Sequence, residues 1–189
     1  TAAVQRVSLW NRVVVGWLAL LTALVAGLVG YFSRLAPEDV IVVRSGPEIG
    51  RFVGMTSDPA LKRGRKFLVA YLGVMAPQDG VDYLLRAARV LLDQRGARDV
   101  AFTLIGSGDS YDDLVQLTKE LGLEDVVEFT GRIPDAGVEA ILSTADVCVG
   151  PDPKNPLNDV STMNKILEYM ALGRPIVAFD LRETRYSAG

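Results

Sequence analysis

The stretch ADVCVGPDPKNPLNDVSTMNKILEYMALGRPIVAFD, from Ala145 to Asp180, decides the fold. It predicts strand, loop, helix, strand: short β-branched runs at Val147–Val149 and Ile176–Phe179 flank a segment of helical period. Met163, Ile166, Leu167, Met170 and Ala171 recur at i, i+3, i+4, i+7 and i+8, which gathers the large apolar side chains on one stripe. Ser161, Asn164, Lys165 and Glu168 then fall on the opposite face. Ser161 is the expected N-cap, and Gly173 the expected residue past the C-terminus before Pro175. Ahead of the helix lies a Gly/Pro/Asn-rich loop, so a strand feeds a loop that opens onto unpaired helix amides. That geometry suits phosphate, since both the amides and the helix dipole favour an anion. Glu168 sits too deep for the phosphate but can accept hydrogen bonds from an attached sugar diol. The competing reading makes Lys165 and Glu168 a solvated i,i+3 pair.

Working outward, the chain alternates strand and helix from Lys66, the pattern of an α/β doubly wound parallel sheet. Strands are predicted at Phe67–Leu72, Val100–Ile105 and Val126–Phe129, with helices at Val81–Gln94, Tyr111–Leu121 and Asp135–Thr144. Glycine-bearing loops follow these strands at Gly73, at Gly106 and Gly108 beside Asp109, at Gly131-Arg132, and at Gly150. Sheets of this kind bind ligands beyond the carboxyl ends of their strands, where these loops converge. A lone GSGD is otherwise an ordinary turn.

The run EYMALGRPIV, Glu168–Val177, resembles the ending E-A-M-A-x-G-x-P-V-V of the nucleotide-binding segment in retaining, two-domain GT-B glycosyltransferases, the group 1 or family 4 type. The resemblance extends upstream to about Val40 through YLGVMAPQDGVDYLLRAA, FTLIGSGD, VVEFTGRIP and ADVCVGP. It implies the Rossmann-like C-terminal half of a GT-B fold, which binds a nucleoside-diphosphate sugar and needs no cofactor or metal. The donor-binding set it implies here is Gly73, Gly106, Gly108, Asp109, Arg132, Asn158, Asp159, Ser161, Thr162, Lys165 and Glu168. Two departures stand out. Where the family has an Arg and a Lys in its first loop, this chain has Val74 and Asp79, with Gln78 as a polar candidate, and the earlier acid of the family's E-x7-E falls on Val160. A bound diphosphate needs a cation, and Lys165 is the candidate, with Lys154 and Arg132 in reserve. Asn158 and Asp159 can meet sugar hydroxyls, although Asp159 is equally placed for helix capping.

Composition narrows the alternatives. The 189 residues carry net charge −3, are 49% hydrophobic and contain no histidine, which excludes Ser-His-Asp and Cys-His chemistry within the chain. No basic stripe points to a nucleic-acid partner. Cys148, in mid-strand, is expected as a buried inert thiol. Val13–Phe32 is an uncharged apolar run flanked by Trp10, Arg12 and Arg34, long enough at about 1.5 Å per residue to cross a hydrocarbon layer of about 30 Å. The expected organisation is therefore an apolar, membrane-spanning helix in residues 1–36, a residual strand and polar linker in 37–65, and a donor-binding domain in 66–189. The domain is expected to be C-terminally truncated, without the trailing helix of the family, to face the cytoplasm at a membrane, and to lack the N-terminal acceptor domain. The catalytic residues stay unassigned. The remaining alternatives are a sugar-nucleotide epimerase of the same fold, and a membrane-tethered nucleotide-binding remnant without turnover.

Overall fold

The computed structural model describes residues 56–188, together with isolated earlier positions at Leu24, Leu28, Arg34, Ala36, Gly46 and Pro47. The Val13–Phe32 run therefore lies, apart from Leu24 and Leu28, outside the described residues. Among the described residues no helix is long and apolar enough to cross a membrane.

The described chain runs β1 (Phe67–Leu72), α1 (Val81–Arg95), β2 (Val100–Ile105), α2 (Tyr111–Glu120), β3 (Val127–Gly131), α3 (Asp135–Thr144), β4 (Val147–Gly150), α4 (Asn164–Ala171), β5 (Ile176–Ala178) and α5 (Arg182–Ala188). The strands form one five-stranded sheet in the order β3-β2-β1-β4-β5, and every pairing is parallel. Right-handed crossovers dictate the layering, because a chain that winds outward from β1 to β3 and then returns past β1 to β4 must place its later helices on the other face. Alternation along the strands matches. Tyr71, Phe102 and Leu104 pack with Leu85 of α1 and Leu114 of α2. Leu68, Ala70, Ala101 and Ile105 pack on the opposite side with Leu142 of α3 and Ile166 and Tyr169 of α4. The order reverses between β1 and β4, which makes that junction the topological switch point.

The two ends of this junction are closed by different means. At the amino end Asp146 spans it: its N–H donates to Leu68 O at 2.8 Å and its carboxylate accepts from Leu68 N–H at 2.7 Å. Lys62 Nζ donates to both Asp146 oxygens, at 2.9 and 2.8 Å. Residues 58–65, expected as linker, are thus pinned to the sheet: Asp58 N–H donates to Thr144 Oγ1, and Arg63 donates to the carbonyls of Phe102 and Val126. At the carboxyl end β1 and β4 diverge after Ala70↔Cys148. There the Tyr169 hydroxyl accepts from Leu72 N–H at 2.8 Å and donates to Val149 O at 3.4 Å. Burial, followed by the nearby Cys148 thiol, raises the Tyr169 hydroxyl well above its ordinary pKa, against the lowering effect of the Leu72 N–H bond.

Several expectations need correction. Helix α4 starts at Asn164 and not after Ser161; Met163 is its N-cap without a side-chain hydrogen bond, while Ser161 Oγ donates to Leu157 O at 2.7 Å. The chain reverses through a short 3-10 turn, Asn158–Val160, and Ser161 closes that turn. Gly173 does adopt the left-handed conformation that ends the helix, with φ 62°. The buried stripe of α4 is Lys165, Ile166 and Tyr169, so it is rotated by about one residue from the apolar count. Lys165 and Tyr169 bury their stems and direct polar tips to partners, which a polarity count scores as surface. Helix α5 is not anticipated by the sequence pattern; its first N–H, of Arg182, donates to Asp159 Oδ1 at 2.9 Å. Cys148 is fully buried, and burial pushes its thiol up to about 12, in keeping with an inert core residue.

Candidate functional site

Beyond the carboxyl ends of the strands, the glycine loops meet one another. Gly73 N–H donates to Ile105 O and Met75 N–H to Ser107 O, so the sheet ladder continues past β1 and β2 into the loops. A Cβ on Gly106 would stand 1.9 Å from Gly73 O, and its φ of +128° is one that residues with side chains avoid. One on Gly108 would stand 2.4 Å from Met75 O. The backbone that these glycines admit is thus the neighbouring loop. Arg132, exposed in the next loop, donates to Ser107 Oγ at 3.1 Å, while Asp109 is exposed on the rim.

The centre of the arrangement is Lys165. Its side chain is 9% exposed, and its Nζ lies 2.7 Å from Asp152 Oδ1 and 3.5 Å from Asp79 Oδ1. The ammonium also stands 5.0 Å from the centroid of the Tyr71 ring, within cation–π range. Burial, followed by the negative charges of Asp79 and Asp152, raises the Tyr71 hydroxyl above its ordinary pKa, and that hydroxyl donates to Val74 O at 2.6 Å. Lys165 is held directly under the first glycine loop, since a Cβ on Gly73 would come 2.8 Å from Tyr71 Oη and 3.3 Å from Lys165 Cε. Three elements therefore converge on one ammonium: α4, the loop after β4, and the Pro77–Asp79 turn ahead of α1.

Asn158 locks the same elements together. It is 3% exposed, and its amide donates to Gln78 O at 2.9 Å and Pro153 O at 2.8 Å, which ties the loop after β4 to that turn. Asp159 is engaged by Arg182 and Lys154 and makes no ion pair with Lys165. It caps α5 through Arg182 N–H, which with nearby Lys154 and Arg182 holds its carboxyl below the ordinary range. Thr162 Oγ1 pairs with Glu183 Oε2 of α5 at 3.2 Å, and Lys154 Nζ lies 3.5 Å from Asp159. Glu168 lies one turn beyond Lys165 on α4 and is half-buried. The predicted set thus divides: Gly73, Gly106, Gly108, Asn158 and Lys165 lie among the loops at the carboxyl ends of the strands, whereas Asp159 and Thr162 bond α5 and Ser161 closes the turn ahead of α4. Asp152 was missed and Asp79 was noted only as a departure; each is an acid whose role comes from a partner distant in sequence.

A cavity of about 490 Å³ lies on the α1 side of β1, β4 and β5. Its lining, including Leu84, Val149, Val177 and Phe179, carries no charged side chain, so the polar chemistry is at Lys165. Among the described residues no cluster of three or more metal-ligating side chains forms.

The sequence profile of the family "Glycosyl transferases group 1" matches residues 66–187, the whole of this sheet with its helices. The chain belongs to that family. It is 34% identical over 114 residues to alpha-D-kanosaminyltransferase of Streptomyces kanamyceticus, covering 60% of this chain and 28% of that protein. It is 28% identical over 155 residues to D-inositol 3-phosphate glycosyltransferase of Corynebacterium aurimucosum, covering 76% and 35%. The chain thus spans about a third or less of the length of these relatives. Among solved structures, WaaG, a glycosyltransferase involved in lipopolysaccharide biosynthesis, aligns with TM-score 0.64 at 17% identity, over 82% of this chain and 42% of that one. Anabaena HepE in complex with UDP-glucose aligns with TM-score 0.59 at 21% identity, over 82% and 43%. The C-terminal domain of the group 1 protein LpcC from Francisella tularensis aligns with TM-score 0.57 at 20% identity, over 73% and 72%. These likenesses establish the Rossmann-like fold of GT-B neighbours.

Proposed function

We propose that this chain is the donor-binding, C-terminal domain of a glycosyltransferase that moves a sugar from a nucleoside-diphosphate sugar to an acceptor with retention. One observation carries the reading: Lys165, the one buried basic residue among the described residues, stands at the switch point beneath the Gly73 loop, with Glu168 one turn behind it. Lys165 faces the diphosphate, the first amides of α4, which lack a side-chain cap, offer further donors, and Glu168 accepts from the ribose. Retention is read from the EYMALGRPIV ending. The chemistry asks for no cofactor, and a second domain outside these residues holds the acceptor. The relatives' names, all of transferases, support this over an epimerase or an inactive remnant.

The test is calorimetric titration with UDP and GDP. Glu168→Gln is expected to lose about 1.5–3 kcal/mol of affinity, the scale of a hydrogen bond to a charged acceptor. Unchanged affinity removes Glu168 from the site.

The reading also holds the domain at the cytoplasmic face of a membrane through Val13–Phe32, on the length of that run and its lack of charge. Expressed chain should then stay with membranes through alkaline extraction, and its recovery in the soluble fraction would count against the anchor.

A further inference from the structure

The buried ammonium and the two carboxylates around it do not balance. Lys165 contributes a formal +1, and Asp79 and Asp152 contribute −1 each, so the cluster sums to −1 at a place proposed to receive a diphosphate. The two carboxylates are also unequal. Asp152 is 3% exposed and hydrogen-bonded to Nζ at 2.7 Å. Asp79 is 16% exposed and stands 3.5 Å from Nζ, beyond good hydrogen-bond distance. Its other oxygen, Oδ2, accepts from Ala76 N–H at 3.2 Å, within its own turn. An ammonium has three donors, and among the described residues only Asp152 takes one at hydrogen-bond distance. Asp79 is the more exposed and the more distant of the two acids.

We infer that Asp79 is a resident anion which the donor's diphosphate displaces from Lys165, while Asp152 is a fixed counter-ion that aims the ammonium. This rests on the reading of Lys165 as the phosphate-facing cation. Phosphate brought to Nζ without displacing Asp79 would face a carboxylate of like charge a few ångströms away. Displacement exchanges one anion for another, and donor affinity is set by that exchange. Two acids on the same ammonium therefore act with opposite sign. Neutralising Asp79 removes the competitor, and neutralising Asp152 removes the aim.

The experiment is calorimetric titration of UDP, GDP and the bare nucleosides into wild-type chain, Asp79→Asn, Asp152→Asn, Lys165→Ala and the Asp79→Asn/Lys165→Ala double variant, with EDTA and again with magnesium. Asn at position 79 keeps the acceptor for Ala76 N–H. The expected result is diphosphate binding tightened by about tenfold in Asp79→Asn, given that like-charge juxtaposition costs upwards of 1.4 kcal/mol. Nucleoside binding stays unchanged, Asp152→Asn weakens the diphosphate, and the double variant shows no gain over Lys165→Ala. If Lys165→Ala weakens the diphosphate but Asp79→Asn does not tighten it, the exchange is overturned while Lys165 keeps its role. If Lys165→Ala changes nothing, or wild type binds neither diphosphate, the underlying reading falls and takes the exchange with it. Weaker binding in Asp79→Asn only with magnesium would make Asp79 a cation holder and also overturn the exchange. Should Asp152→Asn fail to fold, the Asp79→Asn comparison decides alone.

Discussion

Both ends of the β1–β4 junction carry a lysine paired with an aspartate, and the two pairs differ in every physical respect that matters. Lys62–Asp146, at the amino end, is part-exposed, has no second acid competing for the ammonium among the described residues, and is built into the strand pairing through Leu68. Lys165–Asp152, at the carboxyl end, is almost wholly buried, shared with a second acid, and lies among loops. The first has the form of a structural clip. A surplus of charge under low dielectric is costly to keep, and a fold retains it where something is bound or positioned.

The comparison is broken most severely at Asp152. Asp152→Ala removes the hydrogen-bonded partner of a buried ammonium, leaves Asp79 at 3.5 Å as its remaining acid, and should cost about 3–5 kcal/mol in urea unfolding. Adding Lys165→Met should recover part of the loss, because an apolar stem replaces a buried charge that has lost its hydrogen-bonded counter-ion. A loss below about 1 kcal/mol would put this pair on a par with surface bridges and erase the distinction between the two ends.

At the amino end the effect is smaller and depends on pH. Burial raises the Asp146 carboxyl, but hydrogen bonds from Lys62 and Leu68 N–H and the charges of Lys62 and Arg174 outweigh it and hold the group below its ordinary range. A folded-state pKa lowered in this way adds stability that is complete above the unfolded-state value and is lost as pH falls through the folded one. Asp146→Asn should therefore flatten the acid branch of the stability–pH curve and leave its neutral-pH shape intact. An acid branch as steep as that of wild type would show that the carboxylate carries no such linkage.

How much of this was legible follows from what periodicity can register. β1, β2 and α3 were placed to the residue, because apolar alternation and helical spacing there coincide with burial. The ends of α4 were legible at Gly173, where left-handed backbone demands glycine, but not at Ser161, whose hydroxyl is drawn into the preceding turn. Lys165 was singled out, yet its burial was not, because burial of a charge depends on Asp152 and Asp79, which only the folded sheet brings near. α5 escaped notice since its first turn is held by Asp159, an acid that reads equally well as part of the candidate site.

The Tyr169 hydroxyl bears on how the crevice adapts. β1 and β4 part company above Ala70 and Cys148, and a single phenolic oxygen, bonded to Leu72 N–H and Val149 O, stands in the gap as a spacer of set width. The mouth of the crevice is thereby gauged from below: the strands can neither zip further together nor spread without breaking a buried bond. Whatever is accommodated above must be met by loop and side-chain movement over an unyielding floor.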